Sequence, residues 1–285
     1  MSHLRTMAFC LVAVFTMAAG AATSAAAAEG PQYQVCVKAT KVGKKYTGQF
    51  TEKACATKSA TDEGKYTIEP WNPNEKIVLD SSSGPTVFFS GHFFIVPGLY
   101  GLVECKSDKD VGTYTRRELE LFGDGWLWRF YGCHLLANPN NPSTARCSSP
   151  GAKPGEIVTS EMFTSLVFLD KARTKVGLLA VPEKGEVIDE FTCGSASFIT
   201  RGETLSEVGD DVNKASKEET DTLAVGAENR QQYSQIEEEG PALGMTIEPL
   251  GLTAEEEGME PGPAPASETS VDVVKSKEAR YIGAP

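Results

Sequence analysis

The chain is poor in the residues that most often announce catalysis. Of its three histidines, only His92 and His134 lie beyond the N-terminal segment. Neither belongs to an H-E-x-x-H pair, no serine is framed as G-x-S-x-G, and no G-x-x-x-x-G-K-[ST] or G-x-G-x-x-G occurs. The local signatures of metalloproteases, α/β-hydrolases, P-loop NTPases and dinucleotide enzymes are therefore missing. A catalytic triad assembled in space stays open, but His92 sits within Phe88–Phe94, where a packed strand histidine is the expected reading. No two cysteines form a C-x-x-C pair, so zinc is not expected. Asp108-Lys-Asp-Val-Gly112 opens like a calcium loop. The bidentate carboxylate that should follow is Leu119, and a hairpin turn is the better reading. No metal or cofactor is expected, and catalysis is left open with binding preferred.

Long apolar runs are equally scarce. Met7 to Ala22 is uncharged and apolar, follows Arg5, and ends in the small residues Ser24 to Ala28. This reads as a signal peptide over 1–28, cleaved before Glu29, because a spanning helix needs about 20 apolar residues. Cys10 lies inside the apolar run behind bulky Phe9 and is expected to be removed with it. The next most apolar run, Val87 to Val96, is broken by Ser90, Gly91 and His92 and reads as a core strand. With no apolar tail before Pro285, the mature protein is expected to be secreted and free of the membrane.

Without Cys10, an even set of cysteines remains: Cys36, Cys55, Cys105, Cys133, Cys147 and Cys193. In an exported chain such a set implies disulfides. Proximity along the chain favours Cys36–Cys55 and Cys133–Cys147, which leaves Cys105–Cys193. Charge is distributed unevenly. Residues 29–204 carry 20 Lys/Arg against 21 Asp/Glu, and residues 205–285 carry 6 against 18. Every Trp and Phe lies before residue 205. The expected organisation is thus a disulfide-stapled β domain over 29–204 and an acidic extension over 205–285, which adds a few strands and is flexible near 253–268. So acidic a chain is not expected to bind nucleic acid.

From Tyr33 to Ile199, short alternating runs rich in Val, Ile, Phe and Tyr are separated by turn residues. Gly123-Asp124-Gly125 predicts a hairpin between Thr113–Phe122 and Trp126–Cys133. Phe163–Leu169, Lys175–Val181 and Glu186–Cys193 predict a three-stranded meander. Asn138 to Pro154 reads as a long surface loop. The expected fold class is all-β, an antiparallel sandwich or barrel stapled by three disulfides.

Trp126, Trp128 and Phe130 are spaced by two and share a strand face. Such a row is either a wall of the core, the preferred reading, or a ligand platform. Trp71, between Pro70 and Asn72, is the tryptophan expected to be exposed. The candidate ligand-binding residues are Trp71, Trp126 and Trp128. Asp189, Glu190, Glu104, Glu118 and Glu120 lie on or near strands, as the acids of glycosidases do, though solvated strand faces explain them as well. Lys38, Lys41, Lys44, Lys45, Lys53 and Lys58 surround the Cys36–Cys55 segment. They read as a solvated edge that discourages strand pairing, or as a contact for an anionic polymer or for the chain's own acidic extension.

Tyr46-Thr-Gly-Gln-Phe-Thr-Glu-Lys-Ala-Cys55, Val103 to Tyr114, Gly151 to Thr159 and Phe191-Thr-Cys-Gly194 resemble a group of uncharacterised secreted, cysteine-paired β-rich proteins of high-GC Gram-positive soil bacteria. The resemblance covers about residues 33–200 and implies a shared β fold and disulfide set, without an activity. The chain departs from the group after Cys193, where Ser195 to Gly202 lacks a long alternating strand. The function expected is a binding or structural module at the cell surface, with a wall polymer, a glycan or a protein as partner. The alternatives are a polysaccharide hydrolase using strand carboxylates and a secreted inhibitor or matrix protein with no small-molecule site.

Overall fold

The computed structural model describes residues 30–71, 77–83, 86–90, 102–117, 120–138, 141–209, 216–224, 253–256 and 264–283. The expected signal segment, His92, Glu118 and the possible strands between residues 225 and 252 lie outside the described residues. Within them the alternating runs form twenty strands and no helix, so no helix is long and apolar enough to cross a membrane.

In chain order the strands are β1 (Gln32–Lys38), β2 (Lys41–Val42), β3 (Lys45–Tyr46), β4 (Tyr66–Pro70), β5 (Ile77–Ser83), β6 (Thr86–Ser90) and β7 (Leu102–Cys105). β8 (Ser107–Arg117), β9 (Glu120–Tyr131), β10 (His134–Asn138), β11 (Asn141–Ser148), β12 (Glu156–Val158) and β13 (Met162–Phe168) follow. The remainder are β14 (Val176–Pro182), β15 (Val187–Cys193), β16 (Ala196–Arg201), β17 (Thr204–Val208), β18 (Ser216–Leu223), β19 (Thr253–Glu256) and β20 (Ala264–Gly283).

These strands build curled antiparallel sheets. Followed from neighbour to neighbour, the ladders run β5–β8–β9–β13–β14–β17–β18–β20 and return to β5. A second course runs β6–β7–β10–β11–β15–β16–β19–β20 and returns to β6. β20 takes part in both circuits and also pairs with β1. The extension therefore supplies a strand paired on both sides. Of the segment expected to be flexible, 253–256 and 264–268 are strands, and 257–263 lie outside the described residues.

Alternation sorts the side chains. Met162 and Phe168 of β13, Val176 and Ala180 of β14 and Val208 of β17 join Trp126, Tyr33, Ile188 and Ile282 in the core of the first circuit. The intervening Val167, Leu179, Val181 and Leu205 form a separate cluster on the opposite face. Fully burying one such side chain contributes about 1.5–3 kcal/mol. The second circuit is filled by Val103, Phe130, Ile157, Phe191 and Phe198 together with four half-cystines.

Those half-cystines correct the expected connectivity. Cys36 bonds Cys55, but Cys105 bonds Cys133 and Cys147 bonds Cys193, so neither Cys133–Cys147 nor Cys105–Cys193 exists. Proximity along the chain misleads here because register across strands decides the pairing. β7 lies beside β10, with Glu104 opposite His134, which brings Cys105 to Cys133. Cys147 stands directly opposite Cys193 on the β11–β15 ladder. The Cys147 amide still donates to the Cys133 carbonyl at 3.0 Å, so the two bridges lie together in one core.

Other expectations change for similar reasons. Gly123-Asp124-Gly125 lies inside β9 and is not a turn, since Arg117 already pairs Glu120. The register slips by one residue between Val111–Leu127 and Thr113–Asp124, and Gly125 has φ +64°. A glycine at positive φ followed by an extra residue is a β-bulge. Asn141 to Ser148 is a strand rather than loop, and Ala196 to Arg201, after the point of departure from the resembling group, is also a strand. The meander stops after two strands: β14 turns to β17, while β15 crosses to β16 and β11.

The C-terminal strand is fastened to the first disulfide loop. Tyr281 is buried with Phe50 and Cys55, and its hydroxyl donates to the Ala54 carbonyl. Tyr281→Phe should lower stability by about 1 kcal/mol, the net worth of one such bond, as read by urea denaturation. An unchanged midpoint would remove this contact from the account.

Candidate functional site

The tryptophan row of β9 faces a row of carboxylates on β8. Asp108 pairs Phe130 and Asp110 pairs Trp128 across the ladder, and directly opposed residues project to the same face. Gly112 continues the β8 row. A Cβ there would fall 2.2 Å from the Trp126 ring, so glycine leaves the space the indole fills. Asp108 and Asp110 are buried while Lys109 between them is exposed. The segment read as a turn or partial calcium loop is thus mid-strand, with both carboxylates directed inward.

Asp108 and Asp110 line a cavity of about 60 Å³ inside the first circuit. Trp126, Trp128 and Phe130 all line it, so the row is at once cavity wall and part of the two cores, Trp126 in the first and Phe130 in the second. Trp126 and Trp128 stack with ring centroids 6.2 Å apart and an interplanar angle of 28°. Gly112→Ala should push Trp126 out of place, cost about 1–3 kcal/mol as overpacking does, and change the tryptophan emission of the folded protein. Wild-type stability and emission in the variant would contradict this packing.

β15 brings the third acid. Its register slips between Val187–Arg201 and Asp189–Thr200, and this irregularity lets the consecutive residues Ile188 and Asp189 both line the cavity. Thr159 sets the distance to β9. Its hydroxyl accepts the Trp128 amide at 3.1 Å, its own amide donates to the Trp128 carbonyl at 3.1 Å, and it forms an isolated bridge with Asp189. Asp189 is 3% exposed, and its Oδ1 has no hydrogen-bond partner among the described residues. Burial pushes its carboxyl from the ordinary 3.8 up to about 6, opposed in part by a hydrogen bond from the Thr200 hydroxyl.

The acidic extension closes the site. Asp221 of β18 stands directly opposite Asp272 of β20, and both line the cavity with Ser270. Ser270 donates to Asp272 Oδ2 at 3.1 Å. No Lys, Arg or His lines the cavity among the described residues. Nor does any group of three or more His, Cys, Asp or Glu there have the geometry to hold a metal ion. The cavity offers hydrogen-bond acceptors, hydroxyls and indole faces.

The other candidates lie elsewhere. Trp71 is half-buried, packs on the first core and meets Tyr33 edge-on at 6.2 Å and 77°, so it is neither exposed nor part of the cavity. Glu104 lies 3.5 Å from His134 Nε2, and Glu190 is exposed. Lys38, Lys41, Lys44, Lys45, Lys53 and Lys58 are all exposed. Lys41 lies 4.6 Å over the Tyr46 ring, and none of these lysines lines the cavity. The sequence reading did not include Asp108, Asp110, Asp221 or Asp272 among the candidate acids. Period-two acid spacing in Asp108-x-Asp110 was the available signal.

Compared with family models, with curated proteins and with solved structures, the chain has no match in any of the three.

Proposed function

We propose that the chain is an exported extracellular binding protein, acting at the cell surface on a wall polymer, glycan or protein that presents a small polar group to the interior cavity. The observation that carries this reading is the joining of Trp126 and Trp128 with inward carboxylates from β8, β15, β18 and β20 around one space. A core built only for stability would fill that space with apolar side chains, because each buried carboxylate is costly to desolvate. The three disulfides and the signal-like N-terminus support export. The volume, well below the roughly 300–1,000 Å³ of pockets that enclose drug-sized ligands, suits a terminal group rather than a whole molecule.

Polysaccharide hydrolysis is the second reading, and one observation favours it. Asp189, with its carboxyl pushed up to about 6, has the protonation behaviour of a general acid near other carboxylates.

The test is a binding screen of the oxidised protein against neutral and acidic wall oligosaccharides, peptides and amines, with product analysis of the sugars. Ser206→Leu, which fills the half-buried lining, should abolish binding in a protein that still unfolds cooperatively. Undiminished binding by this variant would place the ligand elsewhere, and released sugar products would favour the hydrolase.

A further inference from the structure

We propose that the cavity takes a primary ammonium group, with Asp189 Oδ1 as hydrogen-bond acceptor and Trp126 and Trp128 as the aromatic wall. The inference rests on the binding reading above and adds the chemistry of the ligand.

Three observations converge on it. First, the lining holds carboxylates and, among the described residues, no basic side chain, so an anion is disfavoured there. Second, Asp189 belongs to that lining, and its buried Oδ1 has no hydrogen-bond partner among the described residues. A buried acceptor of this kind is satisfied by a donor. Third, the acids come from four separate strands, and no three of the described ligating groups have the geometry to chelate a metal. Dispersed acceptors beside indole faces suit an organic cation, which gains from cation–π attraction and needs no tight coordination shell.

Size and donor count select among organic cations. A primary ammonium carries three donors and is compact enough for about 60 Å³. The hydroxyls of Thr204, Ser206 and Ser270 supply further acceptors in the same lining. A quaternary ammonium has no N–H to give Asp189. Trp128, Leu178, Thr204 and Ser206 are the half-buried members of the lining, and on this proposal the alkyl chain trails outward beside them. The ammonium can then belong to a lysine-type side chain of a peptide or to a free diamine.

The experiment is calorimetric titration of the full oxidised mature chain with n-butylammonium, n-butanol, tetramethylammonium and Ca²⁺, repeated on Asp189→Asn. Asn keeps the shape and removes the charge, and a cooperative melt confirms that the variant is folded. The expected result is saturable binding of n-butylammonium, at least tenfold weaker in Asp189→Asn, with no binding of n-butanol. Given that result, the tighter of Nα-acetyl-lysine amide and butane-1,4-diamine identifies the source. Equal affinity of wild type and Asp189→Asn overturns the proposal, as does preference for tetramethylammonium or Ca²⁺. A neutral oligosaccharide that binds in the cavity where n-butylammonium fails also overturns it and leaves the binding reading intact. If no probe or oligosaccharide binds, both fall.

Discussion

Asp189→Asn is expected to stabilise the oxidised protein by about 3 kcal/mol at pH 8 and to leave it nearly unchanged near pH 4. The sign follows from linkage. The folded protein holds the Asp189 proton up to about pH 6, whereas the unfolded chain releases it near 3.8. Between those values the native state binds more protons than the unfolded state. Stability therefore falls as pH rises through the window, and the full penalty is present above it. Asparagine does not ionise, so the variant loses this part of the slope. Asp108, Asp110, Asp221 and Asp272 also line the cavity, so the comparison must be the difference between wild type and variant at each pH. Urea denaturation at pH 4, 6 and 8 supplies it. Parallel profiles would show that Asp189 is not a buried, ionising carboxylate. A protein that retains such a group against its own stability retains it for something other than folding.

The second large effect concerns the Cys147–Cys193 bridge. It closes the longest of the three disulfide loops, with a sequence separation of 46. Cys147→Ala combined with Cys193→Ala should cost about 4 kcal/mol through the restored freedom of the unfolded chain. Both sulfurs also sit in the second core with Phe191 and Phe198, whose rings stack at 5.2 Å, so the lost packing adds to the cost. The same variant tests connectivity. With the pairing found here it contains no free thiol, because Cys105 remains bonded to Cys133. Two free thiols in the unreduced, unfolded variant would mean that Cys105 and Cys133 had other partners.

The sequence and the structure agree where the information is local. Period-two alternation marks β13 and β14, and the spacing of Trp126, Trp128 and Phe130 places them on one face. What alternation does not carry is register between strands distant in the chain. Asp108 and Asp110 look like turn residues because Asp-x-Asp near glycine is common in turns. Only their pairing with Phe130 and Trp128 shows them as an inward row. Gly125 illustrates the same limit, since a glycine at positive φ serves a hairpin turn and a bulge equally well. The acidic extension was legible as a shift in composition. Its acidity suggests a solvated, loosely held segment, and nothing local indicates that Asp221 and Asp272 face each other inside the first circuit. The disulfides followed the same pattern: the even count of cysteines was readable, and two of the three pairings depended on strands that meet only in the folded sheet.

The central claim is that ligand enters between the tryptophan row and the inward carboxylates. The most direct measurement is the indole N–H spectrum of the ¹⁵N-labelled oxidised protein during titration with n-butylammonium. The protein has three tryptophans, and only Trp126 and Trp128 line the cavity, while Trp71 packs against Tyr33. The account predicts saturable shifts of the Trp126 and Trp128 indole signals with Trp71 unmoved. Saturable shifts confined to Trp71 or to the Lys41–Tyr46 hairpin, with Trp126 and Trp128 unmoved, would contradict it.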